Sequence, residues 1–558
     1  MVFTRMMSAR DKLMQFNLLL AERDLNAESI TDWLAGLPLS QVISTSKLLY
    51  KAIRKMQKST LSPTLAIMLL NLMHRTLQQY SQQYSRDYLL PNLMNYQKNF
   101  RSIIYLDVLQ RKFAQVSLNL LKAQGKKLSS VEKAVLIHSA MSELGLLLLR
   151  RAQAYLSPAK NVWRWLHSLY HYAAGQQLLK NSITETNFQG ITHTTVAQLY
   201  KRITLLALAN TSQLQQQDME RLYTLASEWA DKVVLDPVSS QGYSLYFDTD
   251  LPPSYQTSLQ KNEGGIVCYI QLDGLISHLR QLLRNQSSTQ GKIKPGLANH
   301  VLEHLINLWS NHPQRRFARF PETGTIEVCI GLATVHYMVN NHYDLVGEFT
   351  QPVINATSPS LNHKLDFQTS EITPVLVPGE LNNLSQEPDA WQIHQTRIER
   401  EEAQSKVDAL ASSHQIYRWQ AVNSSAQGYC LYITGPMPEL LQIGKVIGIK
   451  VEGTWCIGSI RWLQYNVAKG CLQTGVELLA PRAKGIALQL ESQPQQFHGL
   501  LLPELSGTHW PASLITPTLI YQVGDVLTMQ ELTRHYKVKL TKLLSQNHSY
   551  ARFEFTIL

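Results

Sequence analysis

The chain has 558 residues, 44% apolar and 17% charged, with 52 Lys and Arg against 41 Asp and Glu for a net charge of +11. That length holds about two to four domains, and the apolar share supports sizeable cores, which excludes a largely disordered chain, a coiled-coil rod and a disulfide scaffold. The charge is uneven: residues 1–235 carry 28 basic and 14 acidic side chains, a net of +14, and the remaining 323 residues carry 24 and 27, a net of −3. One basic module is therefore joined to near-neutral ones.

Residues 1–235 read as helices over 9–23, 40–58, 62–84, 95–125, 130–156, 159–180, 194–209 and 213–234, because apolar positions recur at spacings of three and four. Breaks fall at Leu61-Ser62-Pro63, Leu90-Pro91-Asn92, Gly125, Ser157-Pro158 and Gly190. The first helix is amphipathic rather than a signal peptide. No stretch of eighteen uninterrupted apolar residues exists, so no transmembrane segment is expected. Leu-Tyr pairs recur at Leu169-Tyr170, Leu199-Tyr200 and Leu222-Tyr223, with Ala173 and Ala226 three residues after two of them. That pattern fits a tetratricopeptide-like array of helix pairs or an irregular bundle.

Asp236-Pro237 ends the helices. Over 236–340, strand-like runs at 243–247, 265–271 and 325–330 alternate with helical runs at 272–285 and 296–310, the pattern of a small α/β module. Residues 341–412 are rich in Asn, Ser, Thr, Pro and Gln and read as an irregular insertion or linker, with one exposed helix at 396–411. Residues 413–490 alternate apolar and polar residues between frequent glycines and read as a small β-barrel. Residues 491–558 hold further strands at 498–503, 512–516, 525–531, 534–543 and 550–557, either extending that barrel or forming a second one. The fold class is multidomain α+β.

The five cysteines (Cys268, Cys329, Cys430, Cys456, Cys471) include no C-x-x-C pair and sit mostly in apolar β-like runs. They read as core thiols in a reducing, cytoplasmic setting. The phosphate-loop, dinucleotide-fold, nucleophile-elbow and zincin motifs are missing from the sequence, so no enzyme and no cofactor are expected. His167 and His171 share a helix face at a spacing that can bind a metal, but no third ligand accompanies them. Asp248 and Asp250 read as a strand-end turn ahead of Leu251-Pro252-Pro253 rather than an acid–base pair.

The most informative stretch is 417–485. Asn423-x-Ser425-x-x-Gly428 matches [DN]-x-S-x-x-G. Ile443-Gly444 with Val446, Trp455-x-Ile457-Gly458 with Arg461-Trp462, and Thr474-Gly475-Val476-Glu477-Leu478 follow in order. Over about 70 residues this resembles the PilZ domain, a bacterial receptor module for cyclic di-GMP. The resemblance implies a β-barrel in which Asn423, Ser425 and Gly428 take base-binding positions. Two phosphates call for guanidinium groups, which pair bidentately, and a guanine edge offers acceptors that the same group can meet.

PilZ receptors carry an R-x-x-x-R arm shortly before this motif. Here the nearest basic residue is Arg418, and the matching arm is far upstream at Arg315 and Arg319, 104 residues before Asn423 when counted from Arg319. Either Arg315 and Arg319 fold back to the site, or the arm belongs to the middle module and the site is degenerate; the plainer reading of Arg315–Arg319 is a solvated basic turn after Asn311-His312-Pro313. The lead expectation is a non-enzymatic cytoplasmic effector that senses cyclic di-GMP through the barrel. Its helical module would bind a protein partner through basic residues such as Lys47, Lys51, Arg54, Lys55 and Lys58. The alternative is an adaptor that acts through protein contacts alone. Nucleic acid is disfavoured, since no recognised binding motif accompanies the charge.

Overall fold

The computed structural model describes residues 9–21, 26–59, 61–88, 96–187, 190–238, 242–255, 267–288, 296–310, 317–346, 414–434, 437–466, 468–491, 493–504, 511–531 and 534–558. The expected helix at 396–411 and Arg315 lie outside them. The apolar periodicity of the first part folds into α1 (Ala9–Ala21), α2 (Ala27–Ala35), α3 (Val42–Lys58), α4 (Pro63–Tyr88), α5 (Tyr96–Gln124), α6 (Ser130–Gln153), α7 (Val162–Gly175), α8 (Val196–Leu208) and α9 (Gln216–Trp229). Two elements there escape the apolar pattern. One is α2, whose single buried face holds only Ile30, Trp33 and Leu34. The other is a hairpin of β1 (Ile183–Asn187) and β2 (Gly190–Thr194), in the Thr-rich stretch read only as a break at Gly190.

Helix α3 shows how the sequence sorts itself. Leu48, Leu49, Ala52, Ile53 and Met56 are buried, while Lys47, Lys51, Arg54, Lys55 and Lys58 are exposed. Helix α6 is the buried axis of the bundle. A capping box starts it: Ser129 Oγ accepts from Glu132 N, and Glu132 Oε2 accepts from Ser129 N at 2.8 Å. Those hydrogen bonds hold the Glu132 carboxyl below its ordinary value. The fully buried Glu143 contacts His74 Nδ1 at 2.8 Å and accepts from Gln110 Nε2 at 3.0 Å. Asp107 is likewise buried between Arg111 and Arg151, at 2.7 and 2.6 Å. Removing one partner from such a set leaves a charge in low dielectric and costs about 3–5 kcal/mol.

His167 is buried rather than metal-seeking. The Tyr200 hydroxyl lies 2.7 Å from its Nδ1, and its Nε2 lies 3.0 Å from the Leu251 carbonyl oxygen. A carbonyl only accepts, so Nε2 carries the proton, Tyr200 donates to Nδ1, and both nitrogens are used. Asp250 caps α7, accepting from Asn161 N at 2.6 Å and Arg164 N at 3.1 Å. The two carboxylates thus lie in a turn, and Asp250 fastens that turn to the bundle.

The middle module contains β3 (Val234–Asp236), β4 (Tyr243–Tyr246), β5 (Ser254–Tyr255) and β6 (Val267–Gln271), in sheet order β3-β6-β4-β5, with α10 (Asp273–Ser288) and α11 (Asn299–Ser310). Its expected third strand goes elsewhere. After β7 (Phe320–Pro321), β8 (Thr325–Ile330) pairs with β9 (Tyr417–Ser425) on one side and β11 (Val446–Val451) on the other. The boundary expected at 340 is therefore crossed by a strand whose hydrogen-bonding partners are all in the following module.

That module is a closed ring. With β10 (Gly428–Tyr432), β12 (Thr454–Asn466) and β13 (Cys471–Ala480), the order runs β10-β13-β12-β11-β8-β9, and β9 pairs back onto β10. Trp419, Leu431, Ile447, Ile449 and Ile460 fill it, each fully buried. Each such aliphatic side chain contributes about 1.5–3 kcal/mol on leaving water.

A second closed barrel follows, made of β14 (Lys484–Leu490), β15 (Gln496–Leu502), β16 (Ser513–Pro517), β17 (Val526–Glu531), β18 (Arg534–Gln546) and β19 (Tyr550–Ile557), in the order β14-β15-β16-β19-β18-β17. Strand β14, read as the end of the first barrel, belongs here because its partners are β15 and β17. Helix α12 (Leu332–Val339) packs against both barrels, touching β8 and β11 of one and β14 and β15 of the other.

Candidate functional site

Strands β9 and β10 are joined by Ala426 and Gln427, so Asn423-x-Ser425-x-x-Gly428 spans a tight hairpin. Ser425 pairs with Gly428 and Asn423 with Cys430, and then the register shifts, so that Leu431 pairs with Ala421. Val422 is the extra residue of a β-bulge. Its effect is decisive, because side chains alternate between faces. Trp419 and Ala421 point into the barrel, and without the bulge Asn423 would follow them. The extra residue instead sets Asn423 and Ser425 on the outer face, with Cys430.

Gly428 is required here by space. A Cβ would lie 1.9 Å from the Val476 carbonyl oxygen on β13. The hairpin is held by the Leu478 N–H donating to the Gln427 carbonyl at 2.8 Å, and Ser425 Oγ donates to the Gly428 carbonyl at 3.4 Å.

The short strand β7 lies along the other edge of β9. Phe320 pairs with Ser424 and Pro321 with Asn423, and Glu322 N donates to the Val422 carbonyl at 3.1 Å. Ser424 Oγ donates to Glu322 Oε2 at 2.6 Å. Continuing this register one step sets the exposed Arg319 opposite Ser425. Its charge reaches the Cys430 thiol. Burial pushes that thiol up, and a hydrogen bond from Gln473 and the nearby Arg319 partly oppose the rise. Among the described residues Arg319 has no ion-pair partner.

Arg418 is placed differently. It lies five residues before Asn423 on the same strand, about 16 Å away at the usual rise. Its guanidinium is 3.2 Å from Glu327, which also takes Lys450 at 3.1 Å. The hydrogen bonds from Lys450 and Arg418 hold the Glu327 carboxyl below its ordinary value. The structure thus brings Arg319, Asn423, Ser425 and Gly428 together and leaves Arg418, 75% exposed, in a separate pair.

Three further residues share the outer face. Glu477 lies opposite Gly428 and is 2.9 Å from Arg461. Trp462 lies over Gly475, where a Cβ would come within 1.8 Å of the indole nitrogen. In the sequence these three served only as strand markers. Their shared face follows from cross-strand register, which local patterning does not carry.

The barrel and its outward-facing hairpin define a PilZ-domain protein. Family models match in succession: the N-terminal domain of the cyclic-di-GMP receptor FimW over residues 28–239, its middle PilZ domain over 244–485, and its C-terminal β-barrel domain over 486–558. Together they span all but residues 1–27 and 240–243, and the chain belongs to this family. The cyclic-di-GMP receptor FimW of Pseudomonas aeruginosa is 24% identical to it across 95% of this chain and 90% of its own length. No solved structure matches the chain.

Proposed function

We propose that this protein is a non-enzymatic, cytoplasmic effector that binds cyclic di-GMP on the outer face of its first barrel and passes the signal to a protein partner through the basic helical module. The observation that carries this reading is the β7–β9 register, which pairs Phe320 with Ser424 and so brings its neighbour Arg319 to the hairpin, although 104 residues separate Arg319 from Asn423 in the chain. Arg319, with Arg315 four residues before it in sequence, pairs a phosphate. Asn423 and Ser425 meet a guanine with short polar groups, Gly428 lets the ligand approach the backbone, and Trp462 supplies an aromatic wall. The relative's designation as a cyclic-di-GMP receptor supports the same ligand. Among the described residues no helix is long and apolar enough to cross a membrane, and all five cysteines are free thiols, which fits a cytoplasmic setting.

Output is assigned to α3. Lys47, Lys51, Arg54 and Lys58 recur at helical spacing on its exposed side, and none is ion-paired among the described residues. An acidic protein surface is the complementary partner. Ligand binding re-weights two arrangements of the modules by its differential affinity for them.

Calorimetric titration of the full chain with cyclic di-GMP tests the reading. Wild type binds saturably. Arg319→Ala and Ser425→Ala weaken binding by roughly 10-fold or more, the loss expected for a charge-assisted or buried hydrogen bond. Arg418→Ala stays within about twofold, since its charge is already paired. No binding by the wild type would leave the adaptor reading, and an equal loss in Arg418→Ala would move the phosphate contact to that residue.

A further inference from the structure

Three ligating side chains from three segments meet where α12 abuts the second barrel. His336 lies on α12, Asp344 just beyond it and His498 on β15, and their ligand atoms all lie within 4.8 Å of one another. His498 Nε2 is 2.9 Å from Asp344 Oδ1, and His336 Nδ1 is 3.9 Å from the same oxygen. The two imidazole rings meet edge to face with centroids 4.8 Å apart. His336 is fully buried, and its Nδ1 has no hydrogen-bond partner among the described residues. A buried nitrogen left this way costs about 1–3 kcal/mol, so the position needs a reason.

We propose that His336, Asp344 and His498 form a divalent transition-metal site, with zinc the fitting ion, that clasps the PilZ barrel to the C-terminal barrel. The donor set decides the class. Two imidazole nitrogens and one carboxylate suit zinc and its neighbours, whereas calcium and magnesium take all-oxygen shells. Tetrahedral zinc with ligands at about 2.0–2.2 Å spaces its donor atoms about 3.3 Å apart. The observed 2.9 and 3.9 Å straddle that value. Small shifts of two partly exposed side chains, Asp344 at 42% and His498 at 26%, close the site from the solvent side.

The surroundings hold the buried ligand in place. Asn340 Oδ1 accepts from Gly485 N at 3.0 Å, and Asn340 Nδ2 donates to the Gly485 carbonyl at 3.2 Å, which docks α12 on β14. A Cβ at Gly485 would lie 2.7 Å from the His336 ring, so glycine makes room for it. Asn340 Nδ2, which can only donate, is 3.5 Å from His336 Nε2, so the ring proton sits at Nδ1 and metal binding there releases it. Metal binding exchanges the His498–Asp344 hydrogen bond for two bonds to one cation, with the His498 ring proton moving to Nδ1 or to solvent. Water fills the fourth place. His414 stands close by, its ring stacked on Tyr337 at 3.6 Å.

The test is zinc titration of the full chain after chelator treatment. One equivalent binds to wild type and raises its melting temperature. His498→Ala and Asp344→Asn, both at the solvent side and compatible with folding, bind at least tenfold more weakly and lose the thermal shift. Cobalt in place of zinc gives a visible spectrum without thiolate-to-metal charge transfer, which separates this site from the free cysteines. Zinc binding that is absent from wild type, undiminished in both variants, or thiolate-marked with cobalt would overturn the assignment and leave a hydrogen-bonded polar contact.

Discussion

The two barrels close the same number of antiparallel strands and differ in the charge beside the first barrel's outward hairpin. On the second, Lys484 pairs with Glu531, Lys537 with Glu491 and Lys542 with Glu554. On the first, Glu327 answers Arg418 and Lys450, but Arg319, beside the outward hairpin, meets no carboxylate among the described residues. Exposed pairs contribute only about 0–1 kcal/mol each, so the ladder on the second barrel mainly neutralises its surface. A charge answered within the fold is spent. Among the described residues Arg319 is left unanswered by any carboxylate beside the Ser425 hydroxyl and the Asn423 amide.

The sharpest way to break this contrast is to impose the second barrel's rule on the first. Ser425→Asp places a carboxylate opposite Arg319. Cyclic di-GMP affinity should fall by more than tenfold while the melting temperature moves by only a few degrees; unchanged affinity would show that Arg319 does not meet the ligand. A smaller effect comes from the buried histidines. Burial lowers His138 on α6 to about 3, and His300 and His304 on α11 to about 4. The unfolded chain takes up these protons below about pH 6.5, whereas the folded chain resists until near pH 4. Their contribution to stability is complete above about pH 6.5 and is lost as pH falls through that window. Melting followed by circular dichroism should therefore show structure lost at lower temperature at pH 5 than at pH 7.5. The smallest effect is Lys542→Ala on the second barrel, expected within about 0.5 kcal/mol by denaturant unfolding and silent in ligand titration.

What the sequence carries locally, it carries well. The apolar spacing in α3 and the breaks at Pro63 and Gly125 mark helices whose buried faces follow from residue type alone. Asn423, Ser425 and Gly428 are legible because a hairpin is a local object. The bulge at Val422 is not, since its consequence depends on which residue of β10 each side chain meets. Nor is the fate of Arg418 and Arg319. Arg418 resembles a site residue until Glu327, 91 positions earlier, is set beside it. Arg319 resembles a stray charge until β7 lies along β9. Both placements come from pairing across residues that share no local pattern. The same holds for β14, whose alternation is common to both barrels and whose membership is decided by β17.

Strand β8 has a consequence for synthesis. Val328 pairs with Tyr417, 89 residues later, whereas in the second barrel Ala487 reaches Gln530 across 43. At about 5–20 residues per second a ribosome needs roughly 4–18 s to cover the longer gap. For that interval Thr325–Ile330, an apolar β-former, has left the ribosome with neither neighbouring strand made. Unpaired edges of this kind recruit other chains. The edge of β8 in the first barrel therefore waits longer for a partner during synthesis than the edge of β14 in the second.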